Sequence, residues 1–250
     1  MHRYENQFLV MEYAPGGSLS FRLSSKLTLE VVTNYLTQAA NGLDFAHQNG
    51  TIHRDLKPSN ILFSANDQLV LADFGVAHED NSELTDSGIG LGTAEYMAPE
   101  QFSDAKHAGI TTDIYSLGVI AFQMLTGHLP FGSRREGKSL YELITAHEKQ
   151  AVPVITELNT DFSPGLQNVL EKALAKTPAA RYQSAAEFAS AFQSAILPDH
   201  LTIALLLPQE NTQVPTQLLA ENFSGQARTP IPSPPIDEPS MTTPLPSVTP

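Results

Sequence analysis

Apolar positions recur along much of the chain at the spacing of α-helices. Between Val32 and Ala46 they follow one helical face, with Thr28 placed to cap the helix and Gly50 to end it. The stretch "TTDIYSLGVIAFQMLTG" is apolar on nearly every side, which predicts a buried central helix. Three further helices are predicted near Ser139–Lys149, Ser163–Ala175 and Ser184–Ile196.

Two places in the sequence have the pattern of β-strands. A short apolar run from Phe8 to Met11 is stopped by Pro15 and the two glycines after it. Later, two apolar runs flank a polar turn at Asn66 and Asp67, which predicts a β-hairpin with Asp73 just beyond its second strand. The expected fold class is therefore α+β and mainly helical.

The composition changes near Pro198. Residues 201–250 hold ten of the 18 prolines and a single basic residue, with many Ser and Thr. Such a segment buries too little apolar surface to offset the entropy that is lost on ordering. We therefore expect a folded domain over residues 1–198 and a disordered tail over residues 199–250.

The charge and the missing cysteines narrow the class of protein. A net charge of −13 with only 14 Lys and Arg argues against nucleic acid or an anionic membrane as a partner. The absence of Cys excludes disulfides and thiol catalysis and fits a reducing cytoplasm. The start of the chain does not resemble a signal peptide, and the longest apolar run, "LTIALLLP", is too short to span a bilayer. We expect a cytoplasmic protein without a membrane span.

The loop "TIHRDLKPSN" concentrates polar groups that could handle phosphate. Asn60 and Asp73 offer the oxygen atoms that a hard cation between phosphates prefers. Asp55 could orient a hydroxyl group, and Lys57 could balance charge on a transferred group. The plainer interpretation is that each is a solvated loop charge, and for any one of the acids taken singly it is the better one.

Several motifs taken together carry a resemblance to the protein kinase family. "HRDLKPSN", "DFG" from Asp73 and "APE" from Ala98 stand in that family's order. "GTAEYMAPE" resembles its substrate-binding loop, "TDIYSLG" its central helix and "PAARY" a segment near its end. The similarity runs from about Phe8 to Ile196. It implies the large lobe of a bacterial-type Ser/Thr protein kinase, with a hinge strand, a β-hairpin and a disordered tail.

The resemblance implies a role for each residue of the site. Asp55 is the catalytic base and Lys57 the cation near the γ-phosphate, while Asn60 and Asp73 are the ligands of Mg. For ATP, Met11 is the gatekeeper, the backbones of Glu12 and Ala14 face adenine, and Leu62 is the floor of the base pocket. The protein substrate contacts Thr93, which with Lys57 resembles the Ser/Thr branch of the family. Regulation involves Arg54, as a cation for a phosphorylated activation segment, with Ser82, Thr85 and Ser87 as candidate sites.

Two more implied roles concern the scaffold, and one expected part is missing. Glu100 is expected to pair with Arg181. Asp113 is expected to brace the loop "TIHRDLKPSN", which corresponds to the family's catalytic loop and is given that name below. The family's small lobe would bring a Gly-rich loop, a strand Lys and a helix Glu ahead of Phe8, and the sequence contains none of these. "GIGLG", from Gly88, follows the DFG motif and is no substitute. We therefore expect a kinase domain whose small lobe is largely missing.

The sequence leaves three functions open. The favoured one is a Ser/Thr protein kinase that transfers the ATP γ-phosphoryl group to protein Ser or Thr hydroxyls, with weak or no activity in this truncated form. The first alternative is a non-catalytic kinase remnant that acts as a protein-interaction module. The second is a P-loop nucleotidase, because "GSRREGKS", from Gly132 to Ser139, fits G-x-x-x-x-G-K-S. It is disfavoured because "TGHLPF" before it ends a long helix and contains Pro130, and because no apolar strand ending in Asp follows to hold magnesium.

Overall fold

The computed structural model describes residues 13–74, 93–103, 108–160 and 162–196. Several predictions lie outside the described residues: the strand Phe8–Met11, the "GIGLG" segment and the tail over residues 199–250. Eight α-helices and one hairpin are described. They are α1 (Leu19–Arg22), α2 (Leu29–Gln48), β1 (Ile61–Phe63), β2 (Leu69–Leu71), α3 (Pro99–Ser103), α4 (Ile110–Thr126), α5 (Leu140–Lys149), α6 (Ile155–Leu158), α7 (Pro164–Ala173) and α8 (Ala185–Ile196).

The central helix α4 organises the core, as its apolar sequence predicts. Nearly all of its residues are buried, including Ile114, Leu117 and Phe122. It ends where Gly127 adopts a left-handed backbone conformation, with φ of 77°, which a residue with a Cβ atom adopts at a cost. Helices α2 and α7 pack against it.

Helix α2 joins the core to the hairpin. The side chain of Thr28 accepts a hydrogen bond from the backbone N–H of Val31, so this residue caps the helix as predicted. The buried stripe of α2, from Val32 to Ala46, packs against α4, β2 and α8. Helix α2 therefore fixes the position of the loop that follows it and leads into β1.

The hairpin is short and antiparallel. Ile61 pairs with Leu71 and Phe63 with Leu69, and the turn between the strands contains Asp67 with a positive φ of 60°. The segment before α1 lies against β1, where Gly16 donates its N–H to the carbonyl oxygen of Phe63 at 2.8 Å. A Cβ atom on Gly16 would lie 2.7 Å from that oxygen, so the approach requires glycine. The fold class predicted from the sequence, α+β and mainly helical, is confirmed.

No helix in the described ranges is both long enough and apolar enough to cross a bilayer.

Candidate active site

One buried carboxylate holds the backbone of the loop between α2 and β1. Asp113, in the first turn of α4, is fully buried and accepts the backbone N–H groups of His53 and Arg54, each at 2.8 Å. Its Oδ2 atom also lies 2.7 Å from Nε2 of His47. The predicted bracing of the catalytic loop by Asp113 is confirmed, because this carboxylate fixes two successive peptide groups just before Asp55.

Arg54 has an uncommon backbone conformation, with φ of 62°. Only a few per cent of residues other than Gly adopt it, so the surrounding contacts must hold it in place. Gln101 of α3 contributes one of these contacts by donating its side-chain N–H to the Arg54 carbonyl oxygen at 2.8 Å. The Nε atom of Arg54 is buried and has no hydrogen-bond partner in the described part of the chain.

Four of the predicted site residues meet directly. Lys57 Nζ lies 2.8 Å from Asp55 Oδ2 and 3.0 Å from the hydroxyl oxygen of Thr93, so it donates to both. Asn60 donates its amide N–H to the Asp55 carbonyl oxygen at 2.9 Å and, more weakly, to Asp55 Oδ2 at 3.3 Å. Asp55 and Lys57 each keep about a fifth of their side-chain surface exposed. Because Asp55 and Lys57 are the candidate catalytic residues, we refer to Asp55, Lys57, Asn60 and Thr93 as the catalytic cluster.

The hairpin places Asp73 beside this cluster. The ladder between β1 and β2 continues one step further, because the N–H of Ala72 donates to the carbonyl oxygen of Asn60 at 2.9 Å. Asp73 follows Ala72 directly, is exposed, and has a positive φ of 57°. The hairpin therefore carries Asp73 to the end where Asn60 directly precedes β1.

His53 supports the same corner, although the sequence analysis assigned it no role. Its ring is completely buried, with Nε2 3.0 Å from the Ala72 carbonyl oxygen and the ring centroid 4.6 Å from that of Phe74. Because a carbonyl oxygen only accepts, Nε2 carries the proton. Its position directly before Arg54 and Asp55 in the sequence could have indicated that it supports the site. His53 connects the catalytic loop to the backbone that carries Asp73.

Part of the predicted base pocket is described. Leu62, in the middle of β1, is half-buried, and Ala14 is half-buried in the segment that leads to Gly16. An isolated bridge between Ser18 and Leu62 joins this segment to β1. Met11 and Glu12 lie outside the described residues, as do the candidate regulatory residues Ser82, Thr85 and Ser87.

Arg22 also supports this region, and no sequence pattern predicted its role. Its guanidinium carbon lies 3.5 Å from the centroid of the Phe63 ring, and it donates to the hydroxyl of Tyr35 and contacts Asp67 in the hairpin turn. Burial lowers the pKa of Arg22, but hydrogen bonds to Asp67 and Tyr35 outweigh it, so the pKa is raised. Arg22 therefore links α1 to α2 and to the hairpin.

The donor set suits a hard cation that is bound partly by phosphate. Asn60 uses its amide nitrogen toward Asp55. Within the described ranges, its amide oxygen accepts only a long hydrogen bond of 3.2 Å from Ser59. The Asp73 carboxylate is exposed. Across the described ranges, no group of three or more His, Asp or Glu side chains could hold a metal by itself. Mg²⁺ is commonly held by one or two protein oxygens together with phosphates, and these residues fit that pattern.

The "GSRREGKS" segment does not have the surroundings of a P-loop. It follows α4 and the turn after it rather than a strand, and Arg134–Glu136 form a single 3₁₀ turn. Lys138 turns back and donates to the Phe131 carbonyl oxygen at 2.7 Å. Ser139 caps α5 and accepts from the N–H of Glu142. Lys138 is thus engaged by its own loop.

The predicted pair of Glu100 and Arg181 is confirmed and forms a scaffold. Two parallel hydrogen bonds of 2.7 and 2.8 Å join the guanidinium to the carboxylate, and Arg181 also donates to the carbonyl oxygens of Thr111 and Ala175. The Arg181 side chain is completely buried. Burial raises the pKa of Glu100, but the hydrogen bonds and charge of Arg181 outweigh it, so the pKa lies below its usual value.

Comparison with known proteins agrees with this geometry. The protein kinase domain family matches residues 1–193. The chain is 38% identical over 203 residues to the serine/threonine-protein kinase Pkn1 of Myxococcus xanthus, covering 79% of this chain and 28% of the relative. It is 34% identical to a probable serine/threonine-protein kinase, PknB, of Lactococcus lactis, covering 72% and 28%. It is 35% identical to the serine/threonine-protein kinase PknA of Mycobacterium tuberculosis, covering 74% and 42%.

The match extends over most of this chain but over a minor part of each relative. The alignments cover 28% to 42% of the relatives' length, so the relatives contain much that this chain does not span. The family match, by contrast, includes the catalytic cluster, Asp73 and the pair of Glu100 and Arg181. On these grounds the chain belongs to the protein kinase family.

Proposed function

We propose that this domain is a Ser/Thr protein kinase that transfers the γ-phosphoryl group of ATP to a Ser or Thr hydroxyl of a protein. The observation that carries the proposal is the double contact of Lys57, which donates to the Asp55 carboxylate and to the Thr93 hydroxyl. A base, a cation and a substrate-facing hydroxyl are thereby held in one cluster. The bacterial relatives are also named as serine/threonine kinases.

Each member of the cluster has a chemical task in this proposal. The substrate oxygen forms a bond to the γ-phosphorus while the bond from that phosphorus to the bridging oxygen of ADP breaks, and the hydroxyl proton passes to Asp55. Lys57 stabilises negative charge on the group in transfer. Thr93 lies beside Lys57 and orients the protein substrate. The half-exposed position of Asp55 and Lys57 leaves room for both reactants.

Asn60 and Asp73 are the residues that would hold Mg²⁺ in this site. The ion would neutralise part of the negative charge on the phosphates of ATP. Asn60 contributes its amide oxygen, because its nitrogen is committed to Asp55. Asp73 contributes an exposed carboxylate. Ala14, Leu62, Met11 and Glu12 would form the adenine side of the ATP site.

Arg54 would contribute to regulation by binding a phosphorylated residue of the activation segment. Its Nε atom is buried and has no hydrogen-bond partner in the described ranges, and a buried unpaired donor is costly. A phosphate on Ser82, Thr85 or Ser87 would supply acceptor oxygens and negative charge. The conformation of Arg54 is linked to Asp55 by the adjoining peptide group, so such a phosphate could influence the catalytic loop.

We further propose that these 250 residues alone transfer phosphate weakly or not at all. Catalysis of phosphoryl transfer is mostly positioning and electrostatic stabilisation, and the sequence contains no Gly-rich loop or strand Lys to cover the phosphates. The alternative function is a non-catalytic module that binds proteins. The closed internal network around Arg181, which needs no nucleotide, favours its folding as such a module.

A phosphotransfer assay with labelled ATP, Mg²⁺ and a general protein substrate tests the proposal. Three proteins are compared: the 250 residues alone, the same residues joined to an upstream kinase small lobe, and the joined protein with Asp55→Ala. We expect activity only in the joined protein with Asp55 intact. Activity of the 250 residues alone that depends on Asp55 would contradict the second proposal. No activity in any form would favour the binding module.

Nucleotide binding separates the kinase site from the P-loop alternative. In the joined protein, Asp73→Ala is expected to abolish Mg²⁺-dependent binding of a fluorescent ATP analogue. Lys138→Ala is the matched control and is expected to leave binding intact, because Lys138 donates to Phe131 within its own loop, between α4 and α5. The opposite result would move the nucleotide site to the segment around Lys138.

A further inference from the structure

A groove opens directly beside the catalytic cluster. It is a cavity of about 640 Å³ between α1, the catalytic loop and the turn that precedes α5. Lys57, Ser59, Tyr96 and Gln123 are among the residues that line it. Since Lys57 belongs to the catalytic cluster, a chain lying in this groove would have a residue next to the group in transfer.

Four charged side chains line the groove, Lys57, Glu95, Arg135 and Glu136, and the first, second and fourth of them are already engaged. Lys57 is paired with Asp55. Glu95 is 7% exposed and accepts the backbone N–H of Arg134 at 3.0 Å. Glu136 accepts the backbone N–H of Ser133 at 3.0 Å. His128 also lines the groove and is exposed.

Arg135 is the exception among these groups. Its side chain is exposed and lines the groove, and within the described ranges it makes no hydrogen bond and no ion pair. Its charge acts on Tyr96, which lines the same groove: burial raises the pKa of Tyr96 and the charge of Glu95 adds to this, whereas Arg135 lowers it. An unpaired guanidinium on the wall of a substrate groove is able to bind a carboxylate with two parallel hydrogen bonds.

We propose that Arg135 selects protein substrates that carry an Asp or Glu close to the phosphorylated Ser or Thr. The inference rests on the proposed function, since it assigns the groove to the protein substrate of the same site. The two carboxylates of the groove each have an oxygen bonded to a backbone N–H, so they are less available to a basic substrate residue than Arg135 is to an acidic one. The net charge of −13 opposes an acidic segment at long range, but salt screens this over about 8 to 10 Å.

Peptide binding tests this inference without requiring phosphoryl transfer. Labelled peptides of about a dozen residues carry a central Ala in place of the phosphorylated residue, and Asp, Asn or Lys is placed in turn at each of the three positions on either side. Binding to the full 250-residue chain is measured by fluorescence anisotropy at about 0.1 M salt, where the long-range repulsion from the net charge is screened. We expect at least one position at which Asp binds more tightly than Asn, and Lys binds more weakly than Asn.

Charge reversal at Arg135 provides the decisive comparison. Arg135→Glu is expected to lower the ratio of Asp-peptide to Lys-peptide affinity by roughly fivefold, because an exposed pair is worth up to about 1 kcal/mol and reversal also introduces repulsion. Arg134→Glu is the matched control. It makes the same change of net charge one residue earlier in the same turn, but Arg134 does not line the groove.

The outcomes separate this inference from the proposed function. A preference for Lys in the unsubstituted chain, no preference at any position, or an equal effect of Arg134→Glu and Arg135→Glu would overturn it. Melting temperatures of both variants equal to that of the unsubstituted chain would verify that folding is unaffected. If the joined kinase phosphorylates Asp- and Lys-containing Thr peptides equally, this inference fails and the kinase proposal stands. If peptides bind as expected but no protein transfers phosphate, the kinase proposal fails and the peptide preference of Arg135 stands.

Discussion

Two acid–base pairs of this domain have similar chemistry and opposite surroundings. Glu100 and Arg181 form a bidentate pair in which the arginine side chain is completely buried and its remaining donors are bonded to backbone carbonyls. Asp55 and Lys57 form a single contact, and each keeps about a fifth of its side chain exposed. The first pair has few atoms left for another molecule, whereas the second has several.

The difference indicates how to separate structural from catalytic charges. A buried charge is tolerated only when its hydrogen bonds are satisfied within the protein, so such a pair cannot also serve a substrate. A half-exposed pair contributes little to stability because water competes for it, yet the same accessibility lets reactants reach it. Breaking each pair should therefore have separate effects on folding and on chemistry.

The largest expected effect on stability comes from Glu100→Ala. It leaves the fully buried guanidinium of Arg181 without its counter-charge, which should lower the free energy of unfolding by about 3 to 5 kcal/mol. Urea unfolding followed by circular dichroism measures the change. Glu171→Ala, on the exposed side of α7, is the control. A loss below about 1 kcal/mol would mean that the buried pair is no more structural than the exposed one.

The buried, titratable side chain of His147 extends the comparison to the pH dependence of stability. Burial, assisted by the charge of Lys176, lowers the pKa of His147 to about 3, whereas the unfolded chain binds the proton near the ordinary value of 6.5. Between these values the unfolded state holds more protons than the folded state, so stability falls as pH falls, by up to about 1.4 kcal/mol per unit. The effect should be present from about pH 6.5 downward.

Replacing His147 should reduce the loss of stability at acidic pH. His147→Gln can still bond the hydroxyl of Tyr115, which lies 2.9 Å from Nδ1 of His147, but it does not titrate. Unfolding free energies at pH 7.0, 6.0 and 5.0 should therefore fall less steeply in this variant. The same slope in His147→Gln and in the unsubstituted chain would show that His147 does not resist protonation.

A smaller effect is expected from a cap that joins distant parts of the chain. Asp44, on α2, accepts the backbone N–H groups of Ala185 and Ala186 at 2.9 Å each and so caps the start of α8. Asp44→Ala removes both acceptors and should lower the free energy of unfolding by about 1 to 2 kcal/mol. Thermal melting of Asp44→Ala and Asp44→Asn measures it. We expect Asn, which keeps one acceptor oxygen, to lose less.

How well each feature could be predicted from the sequence depends on how far apart its residues lie along the chain. Helices α2 and α4 were predicted because a long apolar pattern and a cap are local signals. Helices α1, α3 and α6, of four or five residues, are too short to have such a pattern. The Asp44 cap spans about 140 positions, and no local pattern indicates which acid will reach a distant helix.

The site was predicted in part by a different signal. The order of the motifs identified Asp55, Lys57, Asn60 and Asp73 through a resemblance, and the pair of Glu100 and Arg181 came from the same source. The contact of Lys57 with Thr93 spans 36 positions and depends on how the chain returns after the hairpin. Arg22 and His53 were missed because their partners are a ring, a backbone carbonyl and a turn residue, which have no sequence signature.

The smallest expected effect on stability, and the most informative for function, is that of Asp55→Asn. Its ion pair with Lys57 is half-exposed, so its loss should change the free energy of unfolding by less than about 1 kcal/mol. The new amide oxygen can still accept from Asn60, and the backbone of the loop remains held by Asp113. In the protein joined to a small lobe, however, the base is gone, and turnover should fall by about 10² to 10⁴. Parallel melting curves and phosphotransfer assays measure the two effects. A fall of several kcal/mol in stability would assign Asp55 to the scaffold, together with Glu100, and a variant that is stable and fully active would remove it from the chemistry.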